Sequence, residues 1–97
     1  MDKYHIRRHI LSAINDNEPG ASLMSDIMVY PPIAMAGLEL EEVRSELSGL
    51  VAHGYVRNLR PGRAPLLRLT AQGLDQLHQD TDLDEYIWGE FASQFYE

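Results

Sequence analysis

A chain of 97 residues, 44% of them hydrophobic, has room for one domain with a real but thin core. Its formal net charge is −7, which argues against a generic nucleic-acid binder, since such proteins replace the counterions around phosphate with their own cations. It contains no cysteine, which excludes disulfides and thiolate metal sites.

No apolar run approaches membrane-spanning length, and Met1-Asp2-Lys3-Tyr4-His5 lacks the apolar core of a signal peptide. The expectation is a soluble, cytoplasmic protein with no membrane partner. The charges are segregated along the chain. Asp80, Asp82, Asp84 and Glu85 cluster near the C-terminus, whereas Arg57, Arg60, Arg63 and Arg68 cluster in the middle.

Taken in order, Tyr4 to Ile14 is predicted as a first helix, with Ile6, Ile10, Ala13 and Ile14 on one apolar face and Arg7, Arg8 and His9 pointing elsewhere. Asn15-Asp16-Asn17-Glu18-Pro19-Gly20 breaks it. A second helix is expected from about Leu23 to Val29, with Ser22 as N-cap and Pro31-Pro32 as its stop. Ile33 to Gly37 reads as an apolar linker. The third helix runs from about Glu39 to His53, with Leu40, Val43, Leu47 and Leu50 as its inward stripe and Gly54 as a left-handed exit.

The periodicity then changes. Tyr55 to Arg60 and Leu66 to Thr70 read as two short strands joined by Pro61-Gly62-Arg63-Ala64-Pro65, a turn made of residues that preset or permit turn dihedrals. Thr70 is a candidate N-cap for a fourth helix, Ala71 to about Gln79, with Leu74 and Leu77 on its apolar side. Asp80-Thr81-Asp82 interrupts the pattern. A fifth helix, about Leu83 to Phe95, carries Ile87, Trp88, Phe91, Ala92, Phe95 and Tyr96.

Three helices, a hairpin and a helix are the order of a winged helix. The segment Val43, Leu47, Leu50, Gly54-Tyr55-Val56-Arg57, hairpin, Leu69-Thr70-Ala71-Gln72-Gly73 resembles that of MarR- and PadR-type regulators. In those families a recognition helix ends at a glycine and a Leu-Thr-x-x-Gly signature opens the next helix. The resemblance implies a mainly α fold with a small β-hairpin, a winged helix-turn-helix, in residues 1–80. Residues 81–97 would add an amphipathic aromatic helix, either part of the same domain or a dimerisation arm. The chain departs from the pattern in its long apolar linker, Tyr30 to Gly37.

The third helix departs too. With its apolar stripe inward, the outward set is Glu41, Glu42, Ser45, Ser48, Gly49 and Ala52, flanked by Glu46 and His53, with Glu39 at the same end and Arg44 as the one cation. First-turn glutamates are explained by the helix dipole alone, but they also repel phosphate. The small-residue strip is either an ordinary solvated face or room for a close backbone. The arginines of the wing are either solvating decoration or phosphate contacts. If DNA is bound, the residues involved are Arg44, Ser45, Ser48, Arg57, Arg60, Arg63 and Arg68. A protein partner at the acidic third helix is the other reading.

In the last helix, Ile87, Trp88, Phe91, Phe95 and Tyr96 form a stripe too large for one small domain to cover, so a homodimer is expected. His5 and His9 have a metal-compatible spacing, yet no carboxylate stands at a diagnostic offset. Asp80, Asp82 and Asp84 lack the glycine and distal glutamate of a calcium loop. Nothing resembles a phosphate-binding loop or a nucleophile elbow. The reading is a binding module with no metal and no cofactor, not an enzyme.

Overall fold

The computed structural model describes residues 3–78 of the chain. The predicted fifth helix, its aromatic stripe (Ile87, Trp88, Phe91, Phe95 and Tyr96), the acidic stretch from Asp80 to Glu85 and the domain boundary at residue 80 all lie outside the described residues.

The order of elements is α1 (Lys3–Asp16), α2 (Met24–Met28), α3 (Pro31–Met35), α4 (Leu40–Ala52), β1 (Val56–Asn58), β2 (Leu67–Leu69) and α5 (Ala71–His78). Helix α1 is the hub and packs against α2, α3, α4, α5 and β2. Ile6, Ile10, Leu11, Ala13 and Ile14 of α1 meet Ile27, Ile33, Val43, Leu47 and Leu50 in one core, which Tyr55, Val56 and Leu67 close from the hairpin side. The strands pair antiparallel, with Val56 opposite Leu69, Arg57 opposite Arg68 and Asn58 opposite Leu67. The expected winged helix, with its small hairpin, is therefore present.

Several expectations need correction. Arg7 does not point away from the core: it is 1% exposed, and its Nε donates to Glu46 Oε1 at 2.8 Å from inside the packed face. Ser22 is not an N-cap. Its backbone N–H and C=O both bond Leu67 at 2.8 Å, so it lies along the free side of β2, while its hydroxyl accepts from Asn17 Nδ2. The residue before α2 is Leu23, whose N–H donates to Asp26 Oδ2 at 2.8 Å, one arm of a capping box.

The apolar linker is a helix as well. Pro31 and Pro32 occupy the first turn of α3, where a missing N–H costs nothing, and Ile33 enters the core. Two prolines that end one helix thus begin the next. On α4, Leu40 is 41% exposed and stands outside the inward row, which is instead Val43, Glu46, Leu47 and Leu50. Gly49 is buried and so leaves the outward strip. Leu74 of α5 is 38% exposed.

The exit from α4 follows the predicted chemistry. Gly54 has φ +82°, Tyr55 N–H donates to Leu50 C=O, and Gly54 N–H donates to Val51 C=O, the two bonds of a Schellman motif. Thr70 then ties this turn to α5. Its hydroxyl donates to Gly54 C=O at 2.6 Å and accepts from Gly73 N–H at 3.0 Å, and its own N–H donates to Tyr55 C=O. A Cβ on Gly73 would sit 2.0 Å from the Tyr55 carbonyl oxygen, so only glycine lets α5 lie this close to the hairpin's root.

The Arg7–Glu46 pair makes a prediction about stability. Removing one partner strands a buried charge, whereas removing both does not. Arg7→Met or Glu46→Leu alone should each lower unfolding free energy by about 3–5 kcal/mol, and the double variant should recover most of that loss. Urea unfolding of the four proteins measures it; additive losses would show that the pair is not coupled.

Candidate nucleic-acid interface

The hairpin projects directly from the end of α4, because the glycine turn at Gly54 feeds β1 without a loop and β1 packs against α4. Alternation along the strands puts Val56, Asn58, Leu67 and Leu69 toward the body and leaves Arg57 and Arg68 on the other face. At the tip, Asn58 Oδ1 accepts from Arg60 N–H at 3.0 Å and Leu66 N–H at 3.3 Å, and Leu59 N–H donates to Leu66 C=O. Gly62 takes φ +79° at the bend. One side-chain amide thus shapes the loop that carries the basic residues.

The four wing arginines separate into two kinds. Arg57 and Arg63 are exposed and make no contact with a carboxylate among the described residues. Arg60 is half-buried, its Nε donating to Ala64 C=O at 2.9 Å. Arg68 is different: its guanidinium pairs with Glu18 Oε2 at 2.5 Å, while Glu18 Oε1 lies 3.4 Å from Leu69 N–H. That pair ties the segment after α1 to β2. It also neutralises one member of the Arg57–Arg68 cross-strand pair, where two free like charges would repel. Arg68 is therefore held in a structural contact, apart from the other three.

On α4, Ser45, Ser48 and Arg44 are exposed, as expected of an outward face, and Ala52 continues it. Arg44 Nη1 is 3.2 Å from Glu41 Oε1 on the same helix, in an exposed pair that holds its charge locally. Glu39 N–H donates to Glu42 Oε1 at 3.3 Å, so Glu42 caps the helix it begins. Glu46, predicted to flank this face, has left it for the core.

The overall charge divides sharply. All eight Lys and Arg of the chain fall within residues 3–78, where eight acids balance them: Asp16, Glu18, Asp26, Glu39, Glu41, Glu42, Glu46 and Asp75. The net −7 comes from Asp2 and from Asp80, Asp82, Asp84, Glu85, Glu90 and Glu97. The acidity that argued against phosphate binding thus belongs to the ends of the chain, not to the winged body.

Among the described residues no group of three His, Asp or Glu is placed to hold a metal ion. The His5 and His9 spacing gathers no third ligand there. His9 is held below its ordinary value, first by burial and then by the charges of His5 and Arg8. No helix among these residues is long and apolar enough to cross a membrane.

Glu18 gives a pH-dependent prediction. The Arg68 hydrogen bond, with smaller help from the Leu69 N–H and the Arg68 charge, holds its carboxyl below the usual range against the opposing effect of burial. The unfolded chain therefore binds this proton more readily than the folded one. The stabilisation is complete above the ordinary carboxylate value of 4.5 and is lost as pH falls through the lower folded value. Glu18→Gln should melt below wild type at pH 7, and the gap should narrow as the pH is lowered below 4.5. A gap of constant size would assign the effect to something other than this carboxylate.

No family model matches the sequence, and no curated protein matches it. Among solved structures the chain is similar to BpsR of Bordetella bronchiseptica, in a study of how 6-hydroxynicotinic acid regulates the DNA binding of that protein. The TM-score is 0.64 at 20% identity, over 90% of this chain and 59% of that one, so the chain spans about three-fifths of the other's length. What the two share at that identity is the fold, and the fold of residues 3–78 is a winged helix.

Proposed function

We propose that this protein is a DNA-binding, regulator-like protein of the cytoplasm that meets the phosphate backbone through its wing. The observation that carries the reading is the state of the wing arginines. Arg57, Arg60 and Arg63 are gathered on one hairpin and have no carboxylate partner among the described residues, while Arg7, Arg44 and Arg68 are each paired with a glutamate. Arginine suits phosphate because its planar fork donates in pairs. The fold shared with a protein whose DNA binding is regulated supports the same reading.

Helix α4 has a lesser part. Ser45 and Ser48 are short donors that let a backbone approach, and Arg44 stands beside them, tied to Glu41. Glu39, Glu41 and Glu42 at its N-terminus oppose deep entry into a groove. Contact led by the wing positions a protein on DNA with little sequence discrimination.

One observation favours a second reading, a protein-interaction module on the same scaffold. Val29 and Met35 are 71% and 87% exposed on α2–α3, just ahead of the acidic start of α4. An apolar surface next to carboxylates suits a partner that is both apolar and basic.

The readings separate on binding to a mixed-sequence duplex followed by fluorescence anisotropy across a salt series. The DNA reading expects binding at low salt that weakens linearly on a log–log plot. Arg57→Ala, Arg60→Ala and Arg63→Ala should each reduce the slope by about 1. Arg68→Ala, whose charge is already matched, should leave it nearly unchanged. No binding at low salt overturns the DNA reading and leaves the protein-partner one.

The aromatic stripe of Ile87, Trp88, Phe91, Phe95 and Tyr96 is proposed to pair two copies as a homodimer. Sedimentation of the full chain against a chain ending at Gln79 should give a dimer and a monomer. A monomer in both cases removes the proposal.

A further inference from the structure

We infer that the wing of one copy docks on the α2–α3 face of another, so that the protein associates head to tail. The inference rests on the second reading above, in which that face takes a partner both apolar and basic, and it names the partner.

Charge divides the winged body along the sequence. From Ile10 to Val43 there is no Lys, Arg or His, and there are six acids: Asp16, Glu18, Asp26, Glu39, Glu41 and Glu42. From Leu47 to Leu74 there is no acid, and there are four arginines and His53. Folding matches part of this excess across the boundary, through Glu18 and Arg68. The rest stays apart. Asp26, Glu39, Glu41 and Glu42 are exposed on α2 and the start of α4, while Arg57, Arg60 and Arg63 find no carboxylate among the described residues. Helix α4 separates the two groups. The glutamates lie at its start and the wing leaves from its end, about 20 Å away for a helix of 13 residues. One chain thus carries a negative and a positive pole that it does not match itself, and two copies match them by aligning in the same direction.

Apolar surface follows the charge. On the negative side, Tyr30 to Leu38 contains no charged residue, and Val29, Met35 and Leu40 are exposed. On the positive side, Leu59 is exposed between Arg57 and Arg60, and Pro61 and Ala64 carry an uncharged tip around Arg63. Each side offers apolar groups among charges of one sign, and the signs are opposite. Charge orients the pairing, and burial of residues such as Met35 and Leu59 holds it. Asp26 and Glu42 each accept one backbone N–H as caps. A carboxylate has about four acceptor sites, so both keep capacity for an arginine fork.

The two surfaces differ, so the contact is heterologous: each copy at the end of a row keeps an unused wing or an unused face. The contact is also small, a hairpin tip against two short helices. It belongs to the weak class below about 1,200 Å², so it forms at high protein concentration and is open in dilute solution. It uses residues other than those of the aromatic stripe and is separate from the pairing proposed there.

The full chain is followed by NMR as its concentration rises at low salt, through the methyl signals of Val29 and Met35 and the side-chain Nε–Hε signals of Arg57, Arg60 and Arg63. Both sets should shift together and return when salt is added. Two charge-reversed chains, one with Arg60→Glu and Arg63→Glu, the other with Glu39→Arg and Glu41→Arg, should each need at least about tenfold more protein to show the shift. An equal mixture of the two should shift at the wild-type concentration, because each wing then finds a face of opposite charge. Mixing does not rescue a variant that has merely misfolded. Signals that stay fixed with concentration overturn the docking. Methyl shifts without arginine shifts put two α2–α3 faces together and overturn the part given to the wing. A mixture that stays silent overturns the charge pairing. A peptide of alternating leucine and arginine, added to dilute protein, tells the two failures apart. If the peptide moves Val29 and Met35 and a second copy does not, the face stands and the self-contact falls; if neither moves them, both fall.

Discussion

The ion pair of Arg7 and Glu46 lies inside the apolar contact between α1 and α4, and the placement of everything C-terminal to it depends on that contact. Both side chains are nearly sealed from water, at 1% and 5% exposure. A lone charge there would be intolerable, since desolvation costs several kcal/mol per ion in practice. The two helices are therefore constrained to bring these two residues together. An all-apolar interface between α1 and α4 could slide by a turn with modest loss, but a paired charge cannot. The pair thus acts as a register pin for the helix that ends in the wing.

From α4 the constraint passes along the chain by hydrogen bonds rather than by bulk packing. The Schellman turn at Gly54 sets the angle at which β1 leaves. Thr70 bonds both Gly54 and Gly73, and Gly73 allows α5 to lie on the Tyr55 carbonyl. The Leu69-Thr70-Ala71-Gln72-Gly73 segment is therefore a clasp in which hydroxyl, backbone and missing side chain each have one task. Glu18 fastens the other side of β2 through Arg68. Between them these contacts hold the root of the hairpin firmly and leave its tip to the short-range bonds of Asn58 and Arg60.

Much of this was legible in the residues. Gly54, the Pro61–Pro65 turn and Thr70 as a cap are local chemistry, and local chemistry does not wait on tertiary structure. Most of the differences are tertiary in origin. Arg7 is flanked by Ile6, Ile10, Leu11 and Ile14, and Glu46 by Val43, Leu47 and Leu50, so each lies within an apolar arc on its own helix. Polarity alone assigned them outward; two opposite charges each embedded in an apolar arc were the available signal. Ser22 looked like a cap because the strand-like bridge that consumes its backbone comes from Leu67, forty-five positions later. Pro31-Pro32 was read only as a stop, although proline is equally at home in the first turn of a helix. For the interface, sequence found all four wing arginines, but only coordinates separate the three that are unmatched from Arg68.

That separation changes what the net charge says. Summed over the chain, −7 counts against any polyanion as partner. Taken by region, the winged body is balanced, its carboxylates are largely engaged in capping or pairing, and its unmatched cations sit on a single projection. A field of this kind is short in range. Within a Debye length of about 8 Å at physiological salt the wing is what an approaching anion meets, whereas further out the excess acid dominates. Association with DNA would then be neither steered nor fast. It would depend on close contact made by the hairpin, a weak, salt-sensitive grip.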